Sequence, residues 1–205
     1  MAPRKLLVAT NNPGKVREYA ELLNDLPVVL TYPAQEGLSL EVEETGDTFA
    51  ENATLKAQAF AHTSGLLTLA DDSGLEVDAL NGAPGVFSAR YAGQGASDED
   101  RYRLLLRHLA HVPARQRTAR FRCVVALAVP EGRVYTAEGC CEGVIGFEPR
   151  GCHGFGYDPV FYLPERGQTM AELSSEVKNR ISHRARAVQA AIPILRRLLG
   201  DRVPE

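Results

Sequence analysis

Two groups of carboxylate side chains stand out along the chain as residues that could do chemistry. Asp71 and Asp72 are adjacent and come directly after the apolar run Leu66–Ala70. The second group lies in an acidic segment, Glu36–Asp47, and consists of Glu41, Glu43, Glu44 and Asp47. Magnesium is usually held by one or two carboxylates together with waters and a substrate phosphate. One carboxylate from each group would be enough, so the two groups together predict a magnesium site. A solvated surface loop is the alternative for the acidic segment.

A turn that ends in a lysine could bind an anion. It consists of Thr10, Asn11, Asn12, Pro13, Gly14 and Lys15, and it connects a predicted strand to a predicted helix. Such a turn brings together backbone N–H groups, a helix dipole and a cation, as phosphate-binding loops do, although an ordinary tight turn has the same composition. It is not a Walker A loop, because Ala9 and Val16 replace the glycine and the hydroxyl residue of that motif. Lys56 is a further cation that could reach a phosphate or pair with a neighbouring carboxylate.

The third chemical feature is aromatic. Gly154, Phe155, Gly156, Tyr157 and Asp158 combine a flexible backbone with rings on which a nucleobase could stack, and the alternative is a core aromatic between glycines. A polar cluster follows downstream, and its members are Lys178, Asn179, Arg180, Ser182, His183, Arg184 and Arg186. This cluster is either a solvated helix face or a phosphate-binding surface. Because adjacent residues cannot point the same way on a helix, His183 and Arg184 predict a helix break.

The elements that must position these residues alternate between strands and helices. Predicted strands are Lys5–Thr10, Pro27–Tyr32, Leu66–Ala70 and Val160–Leu163, with a hairpin of Arg120–Val129 and Arg133–Cys140. Predicted helices follow Gly14, span Thr48–Thr63, begin after Ser97, and run from Thr169 to Leu199 with a break near Ser182. Asp71 to Gly74 is predicted as a turn at a strand end, Asn81–Gly95 as an irregular loop, and Pro193 as a kink or a first-turn residue. This order predicts an α/β fold with a mixed sheet in a single domain, residues 1–205.

Composition narrows the class of protein. The chain has 205 residues, is 44% hydrophobic and carries a net charge of −3, so neither nucleic acid nor a membrane is an expected partner. The only apolar run near the start, Leu6–Ala9, is too short for a signal peptide, which favours the cytoplasm. The four cysteines lack C-x-x-C spacing. We expect buried reduced thiols rather than a zinc site made from Cys140, Cys141, Cys152 and His153.

The motifs together resemble one known family. They are Thr10-Asn11-Asn12-x-Gly14-Lys15, Glu43-Glu44-Thr45-Gly46, Phe49-x-Glu51-Asn52-Ala53, Lys56-Ala57, Ala70-Asp71-Asp72-Ser73-Gly74-Leu75, Gly82-Ala83-Pro84-Gly85, Ser88-Ala89-Arg90-Tyr91, Gly154-Phe155-Gly156-Tyr157-Asp158-Pro159 and Ser182-His183-Arg184. In this order they are similar to the inosine triphosphate pyrophosphatases, which act on non-canonical purine nucleoside triphosphates. The resemblance runs from residue 5 to about residue 199, and departs from the pattern at Asn11, where many members have glycine.

The resemblance implies an elongated ITPase-like α/β fold with two lobes and a cleft. It also implies a homodimer and magnesium-dependent hydrolysis of ITP, dITP or XTP to the monophosphate and pyrophosphate, which would cleanse the nucleotide pool. Residue by residue, it implies that Thr10, Asn11, Asn12, Pro13, Gly14, Lys15, Lys56 and Ser73 bind the triphosphate. It implies that Glu43 and Asp72 bind magnesium and that Phe155, Gly156, Tyr157, Asp158, Lys178, His183 and Arg184 enclose the purine.

The resemblance gives Asp72 a second role, that of proton acceptor. A carboxylate bound to magnesium is a weaker base, so Asp71, Glu51 or a metal-bound hydroxide are alternatives to Asp72 for activating the water. For base choice, a donor from Lys178, His183 or Arg184 would donate to the C6 oxygen of hypoxanthine and xanthine, whereas adenine would place its amino group, another donor, against it.

Two other classes of protein fit the sequence less well. A phosphotransferase using the Gly14-Lys15 turn is disfavoured by the incomplete Walker A motif. A nucleic-acid binder using the basic stretch Arg180–Arg197 is disfavoured by the net charge of −3.

Overall fold

The computed structural model describes residues 4–200. The strands are β1 (Arg4–Val8), β2 (Val28–Thr31), β3 (Leu67–Val77), β4 (Thr118–Ala128), β5 (Val134–Ile145), β6 (Phe161–Leu163) and β7 (Gln168–Thr169). The helices are α1 (Pro13–Leu22), α2 (Phe49–Ser64), α3 (Asp98–His108), α4 (Ser175–Ile181) and α5 (His183–Leu198). Short 3-10 helices cover Pro33–Glu36, Asp78–Leu80, Gly85–Arg90, Ala114–Gln116 and Met170–Glu172. Among these described residues, no helix combines the length and the apolar character needed to cross a bilayer.

The sheet is mixed, as predicted. Within residues 4–200 its seven strands follow the order β2-β1-β3-β4-β5-β6-β7. β1 runs parallel to both β2 and β3, because the connections through α1 and α2 are long enough to cross over. β6 is antiparallel to both β5 and β7. The expectation of an α/β fold with a mixed sheet is therefore confirmed.

The described chain divides into two compact units. The first contains the chain up to Asp72, then Cys123–Gly139 and the chain from Arg184 onward. The second contains Ser73–Arg122 and Cys140–His183. Each unit has an apolar core of its own, with Leu6, Leu69 and Val125 in the first and Leu75, Leu105 and Phe161 in the second. The single domain expected over residues 1–205 remains a prediction.

Local sequence signals account for the ends of several helices. The Thr48 side chain accepts a hydrogen bond from the Glu51 amide, and the Glu51 side chain accepts one from the Thr48 amide, which is a capping box at the start of α2. Gly65 ends α2 in the left-handed conformation, with φ of 66°. Ser182 separates α4 from α5, so the predicted break before His183 and Arg184 is confirmed. Pro193 lies inside α5 rather than in its first turn.

One predicted boundary is wrong and affects the site. Asp71, Asp72, Ser73 and Gly74 were predicted as a turn, but they lie in the middle of β3. These residue types favour turns when they are solvated. Here Asp71 and Asp72 are buried, with 3% and 6% exposure, and cations or amides contact their carboxylates. Tertiary partners therefore override the local preference, and the strand continues to Val77.

Candidate active site

The strand β3 presents two carboxylates to two different environments in the first unit. Side chains alternate across a strand, so the adjacent Asp71 and Asp72 point to opposite faces. Asp71 Oδ2 lies 2.9 Å from Lys15 Nζ. Asp72 Oδ1 lies 3.7 Å from Lys56 Nζ. The structure thus brings each of the two predicted phosphate-binding lysines to one aspartate.

Asp71 belongs to a chain of alternating charges. The Arg184 guanidinium donates to Asp71 Oδ2 at 3.1 Å and to Glu18 Oε2 at 2.6 Å. Burial by itself would raise the pKa of the Asp71 carboxyl, but the charges of Lys15, Arg184 and Lys56 outweigh burial and hold this pKa well below its ordinary range. Asp71 is therefore a stable anion and a poor proton acceptor.

Asp72 is in a different electrostatic situation. Burial raises the pKa of the Asp72 carboxyl, Glu44 raises it further, and the opposing charge of Lys56 does not cancel the net rise. The pKa of Lys56 is also raised: burial would lower it, but Asp72, Asp71 and Glu44 prevail. Of the two adjacent aspartates, Asp72 is the better proton acceptor.

Asn52 connects Asp72 to the acidic segment. Its side-chain amide donates to Asp72 Oδ2 at 3.2 Å, and its side-chain oxygen accepts the Gly46 amide at 2.8 Å. Asn52 is fully buried on α2. Gly46 can approach because it lacks a Cβ, which would lie 2.6 Å from the Glu51 Cβ. The role of Asn52 was missed from sequence, although a polar residue on the buried face that carries Phe49, Ala53 and Ala57 is a signal for it.

The acidic segment places Glu44 rather than Glu43 beside the lysine. Glu44 Oε1 lies 2.6 Å from Lys56 Nζ, and Glu43 is exposed. Glu51, an alternative base, accepts the amides of Asp47 and Thr48 in the capping box. These acids lie on the same loop and helix start. The roles assigned to Glu43 and Glu51 from sequence remain predictions.

The Thr10 to Lys15 turn is organised by Asn12. The Asn12 side-chain oxygen accepts the amides of Gly14 at 2.8 Å and Lys15 at 3.2 Å, which caps α1. The Asn12 amide in turn donates to Thr10 Oγ1 at 3.2 Å. Pro13 is the first residue of the helix, and Asn11 is exposed. In this structure the amides of Asn12, Gly14 and Lys15 donate within the turn, and Lys15 Nζ is held by Asp71.

The predicted base-binding residues of the second unit lie around a buried ion pair. Lys178 Nζ is 2.5 Å from Asp158 Oδ2, and both side chains are less than a tenth exposed. The same Asp158 oxygen accepts the Phe155 amide at 3.0 Å, and Lys178 Nζ lies 4.8 Å from the centre of the Phe155 ring. The Tyr157 hydroxyl donates to the Ser88 carbonyl at 2.8 Å.

The remaining predicted residues have distinct surroundings. His183 is 6% exposed, and its ring stacks on Phe121 with centres 4.7 Å apart. Ser73 is half-buried in β3, in the second unit. Arg184 is 1% exposed and lies in the first unit, where its guanidinium contacts Glu18 and Asp71.

The cysteines do not form a metal centre in the described residues. Cys123 and Cys141 are buried, Cys140 is half-buried and Cys152 is exposed. Burial and the nearby Asp71 raise the pKa of the Cys123 thiol. Within residues 4–200, no group of three or more His, Cys, Asp or Glu side chains is placed to hold a metal. The expectation of buried thiols is therefore correct for Cys123 and Cys141 only.

Comparison with known proteins identifies the family of this arrangement. The model of the Ham1 family matches residues 6–194. The chain belongs to the Ham1 family. The match includes every residue discussed above as part of the candidate active site, from Thr10 to Arg184.

Relatives within the Ham1 family are similar over nearly the whole chain. A dITP/XTP pyrophosphatase of Desulforamulus reducens is 57% identical, with 95% of this chain and 96% of the relative covered. One of Geobacter sulfurreducens is 54% identical, with 90% and 92% covered. A solved HAM1 protein structure from Coxiella burnetii has a TM-score of 0.86 and 43% identity, with 95% of this chain and 99% of that chain covered.

Proposed function

We propose that the protein hydrolyses the non-canonical purine nucleoside triphosphates ITP, dITP and XTP to the nucleoside monophosphate and pyrophosphate. The observation that carries this proposal is the pairing of two lysines with two adjacent buried aspartates on β3, in a chain of the Ham1 family. The names of the relatives from D. reducens and G. sulfurreducens support the same reaction. Such an enzyme removes deaminated purines from the nucleotide pool before they enter DNA or RNA.

The reaction requires a water molecule to attack the α-phosphorus while pyrophosphate leaves. Lys15 and Lys56 bind the leaving phosphates as point charges, with help from the Thr10 to Gly14 turn and Ser73. Of the two aspartates, we assign Asp72 as the proton acceptor for the attacking water, because the surrounding cations hold the pKa of Asp71 low. Asp71 orients Lys15, and Asn52 orients Asp72, through the hydrogen bonds described above.

The residues present fit a magnesium ion. Asp72 and the acidic segment supply the hard oxygen donors that magnesium prefers, and one or two carboxylates suffice when a triphosphate supplies further oxygens. We propose Asp72 and Glu43 as ligands, with Glu44 engaged by Lys56. When bound, the ion neutralises negative charge on the phosphate oxygens. Activity with magnesium and its loss with a chelator test this assignment.

The purine is recognised by residues of the second unit. Phe155 provides a face for stacking, and Lys178 is a buried donor held by Asp158. Gly156, Tyr157 and His183 complete the group. A donor aimed at C6 favours the oxygen of hypoxanthine or xanthine over the amino group of adenine. Arg184, whose guanidinium is bonded to Glu18 and Asp71, is also proposed as a purine-binding residue.

A nucleotide panel tests the proposal directly. ITP, dITP, XTP, ATP and GTP are each incubated with the enzyme and magnesium, and pyrophosphate, orthophosphate and monophosphate are quantified separately. We expect pyrophosphate and monophosphate in equal amounts from the first three nucleotides. Release of orthophosphate, or equal turnover of all five nucleotides, would contradict the proposal.

We further propose a homodimer in the cytoplasm, which rests on the family resemblance. The monomer mass is 22.3 kDa, so light scattering at micromolar concentration should give twice this value. A monomeric mass would refute the dimer. Localisation of a tagged full-length chain in cells tests the compartment.

A further inference from the structure

The aromatic segment Phe155–Asp158 is held by a carboxylate from a distant part of the sequence. Asp98 Oδ2 accepts the backbone amide of Gly156 at 2.7 Å, across 58 positions of the chain. The preceding amide, that of Phe155, is accepted by Asp158. Two successive backbone donors at the turn are therefore each bound by an acid.

Asp98 is available for this contact because other residues cap its helix. Asp98 is the first residue of α3, but the capping box of that helix is formed by Ser97 and Asp100. The Ser97 side chain accepts the Asp100 amide, and Asp100 accepts the Ser97 amide at 3.0 Å. The Asp98 carboxylate is thus not needed as a cap and extends to Gly156 instead.

Arg101 fixes the direction of the Asp98 carboxylate. The guanidinium of Arg101 forms an ion pair with the other oxygen of Asp98. It also donates to the carbonyl of Ala89 at 2.7 Å and to that of Ala96 at 3.0 Å. Asp98 is therefore oriented by a guanidinium that is itself bound to two carbonyls, and its second oxygen is directed at Gly156.

The same turn has a second attachment to this part of the unit. The Tyr157 hydroxyl donates to the Ser88 carbonyl, and the Ser88 hydroxyl accepts the Leu75 amide at 2.9 Å. Tyr157 is 4% exposed and serves as an anchor, whereas Phe155 is more exposed. Asp98 therefore acts on the segment between the anchored Tyr157 and the Phe155 ring.

We propose that Asp98 is a positioning residue for the nucleobase site, holding the Gly156 amide so that Phe155 keeps its place beside Lys178. This inference rests on the proposed function, which assigns Phe155–Asp158 to the purine. Asp98 touches no reacting atom and acts through the backbone of the turn. Its loss should weaken nucleotide binding and leave the chemical step intact.

The test compares Asp98→Ala, Asp98→Asn and Glu99→Ala in the full chain. Asparagine keeps an oxygen that can accept the Gly156 amide. Glu99 is the matched control, because it is also an acid in the first turn of α3 and also pairs with an arginine, Arg103. With ITP we expect Asp98→Ala to raise KM about tenfold with kcat within about twofold, the size of one lost charge-assisted hydrogen bond. Asp98→Asn should recover most of the loss, and Glu99→Ala should match the wild type.

A second readout does not depend on turnover. Hydrogen exchange of the Gly156 amide, followed by nuclear magnetic resonance of the labelled full chain, should be slowed in the wild type and in Asp98→Asn and fast in Asp98→Ala. If the wild type shows this protection but releases no pyrophosphate from ITP, the proposed function fails while the contact stands. Equal Gly156 exchange in the wild type and Asp98→Ala, or unchanged KM in an active Asp98→Ala enzyme, overturns the positioning role.

Discussion

Asn52 donates its side-chain amide to Asp72 Oδ2 at 3.2 Å from a fully buried position on α2. Its side-chain oxygen accepts the Gly46 amide, so one side chain sets both the direction of a carboxylate and the path of the acidic loop. A buried amide with both ends bound has few other rotamers available. The orientation of Asp72 therefore depends on a residue that does not take part in the reaction.

Asn52→Ala should lower kcat for ITP about tenfold and the free energy of unfolding by about 1–3 kcal/mol, because the Gly46 amide and Asp72 each lose a partner. Steady-state kinetics and urea denaturation measure the two effects. Gln58→Ala, at an exposed position of the same helix, is the control and should change neither. A kcat for Asn52→Ala equal to that of the wild type would show that Asp72 needs no support from α2.

Asp72→Asn should reduce turnover about a thousandfold while the protein stays folded. The amide has the shape of the carboxylate, but it cannot act as a base and has no negative charge to attract a metal ion. Pyrophosphate release from ITP at saturating magnesium measures the loss, and circular dichroism checks the fold. Asp78→Asn, which alters a surface aspartate paired with Arg120, is the control. Catalysis by Asp72→Asn within severalfold of the wild type would exclude the assigned role.

Asp71→Asn should destabilise the protein by about 3–5 kcal/mol near neutral pH, because it leaves the charges of Lys15 and Arg184 without their common counter-charge. Burial opposes ionisation of Asp71, but the surrounding cations lower its pKa in the folded state, so this stabilisation is present above the ordinary carboxyl pKa and is lost as pH falls. Urea denaturation of both proteins should show a constant difference above about pH 6 that shrinks below about pH 4. A difference that grows on acidification would have the wrong sign for this mechanism.

Gly154→Ala should raise KM for ITP because a Cβ there would lie 2.1 Å from Asp158 Oδ2 and 3.1 Å from Lys178 Nζ, which displaces the buried ion pair. Gly167→Ala is the matched control: φ is also positive, at 67°, and a Cβ would meet only Tyr162 Oη at 3.9 Å. Both variants should lose about 1 kcal/mol of stability from backbone strain. If KM rises equally in the two variants, strain alone explains the effect and the ion pair is not involved.

Sequence patterns predicted the helix ends that depend on neighbouring residues in the chain. The helix predicted over Thr48–Thr63 corresponds to α2, and the helix break at His183 was predicted because two adjacent polar residues cannot share one helix face. The continuation of β3 through Asp71 and Asp72 was not predictable, because its cause is long-range. The partner Lys15 is 56 residues away, and local preference alone favours a turn.

The sequence predicted which residues belong to the candidate site, but not which of them contact each other. Lys15 and Lys56 were identified from their position in helices beside polar turns, but nothing local assigns one to Asp71 and the other to Asp72. Asp98 could be interpreted from sequence only as a favourable first-turn acid of α3, because Gly156 lies 58 residues away. Supporting residues of this kind become visible only when the backbone path is known.

The placement of Asp71 and Asp72 within a strand also constrains the length of the chain before them. Because side chains alternate at every residue, inserting or deleting one residue between Leu67 and Ala70 while the ladder stays paired would turn each aspartate to the opposite face. Asp71, which pairs with Lys15 and Arg184, would then face Asn52. Asp72, the proposed proton acceptor, would lie beside those two cations. Inserting or deleting two residues keeps each aspartate on its own face of the sheet, whereas a change of one residue exchanges the faces. The strand β3 should therefore tolerate even changes of length better than odd ones.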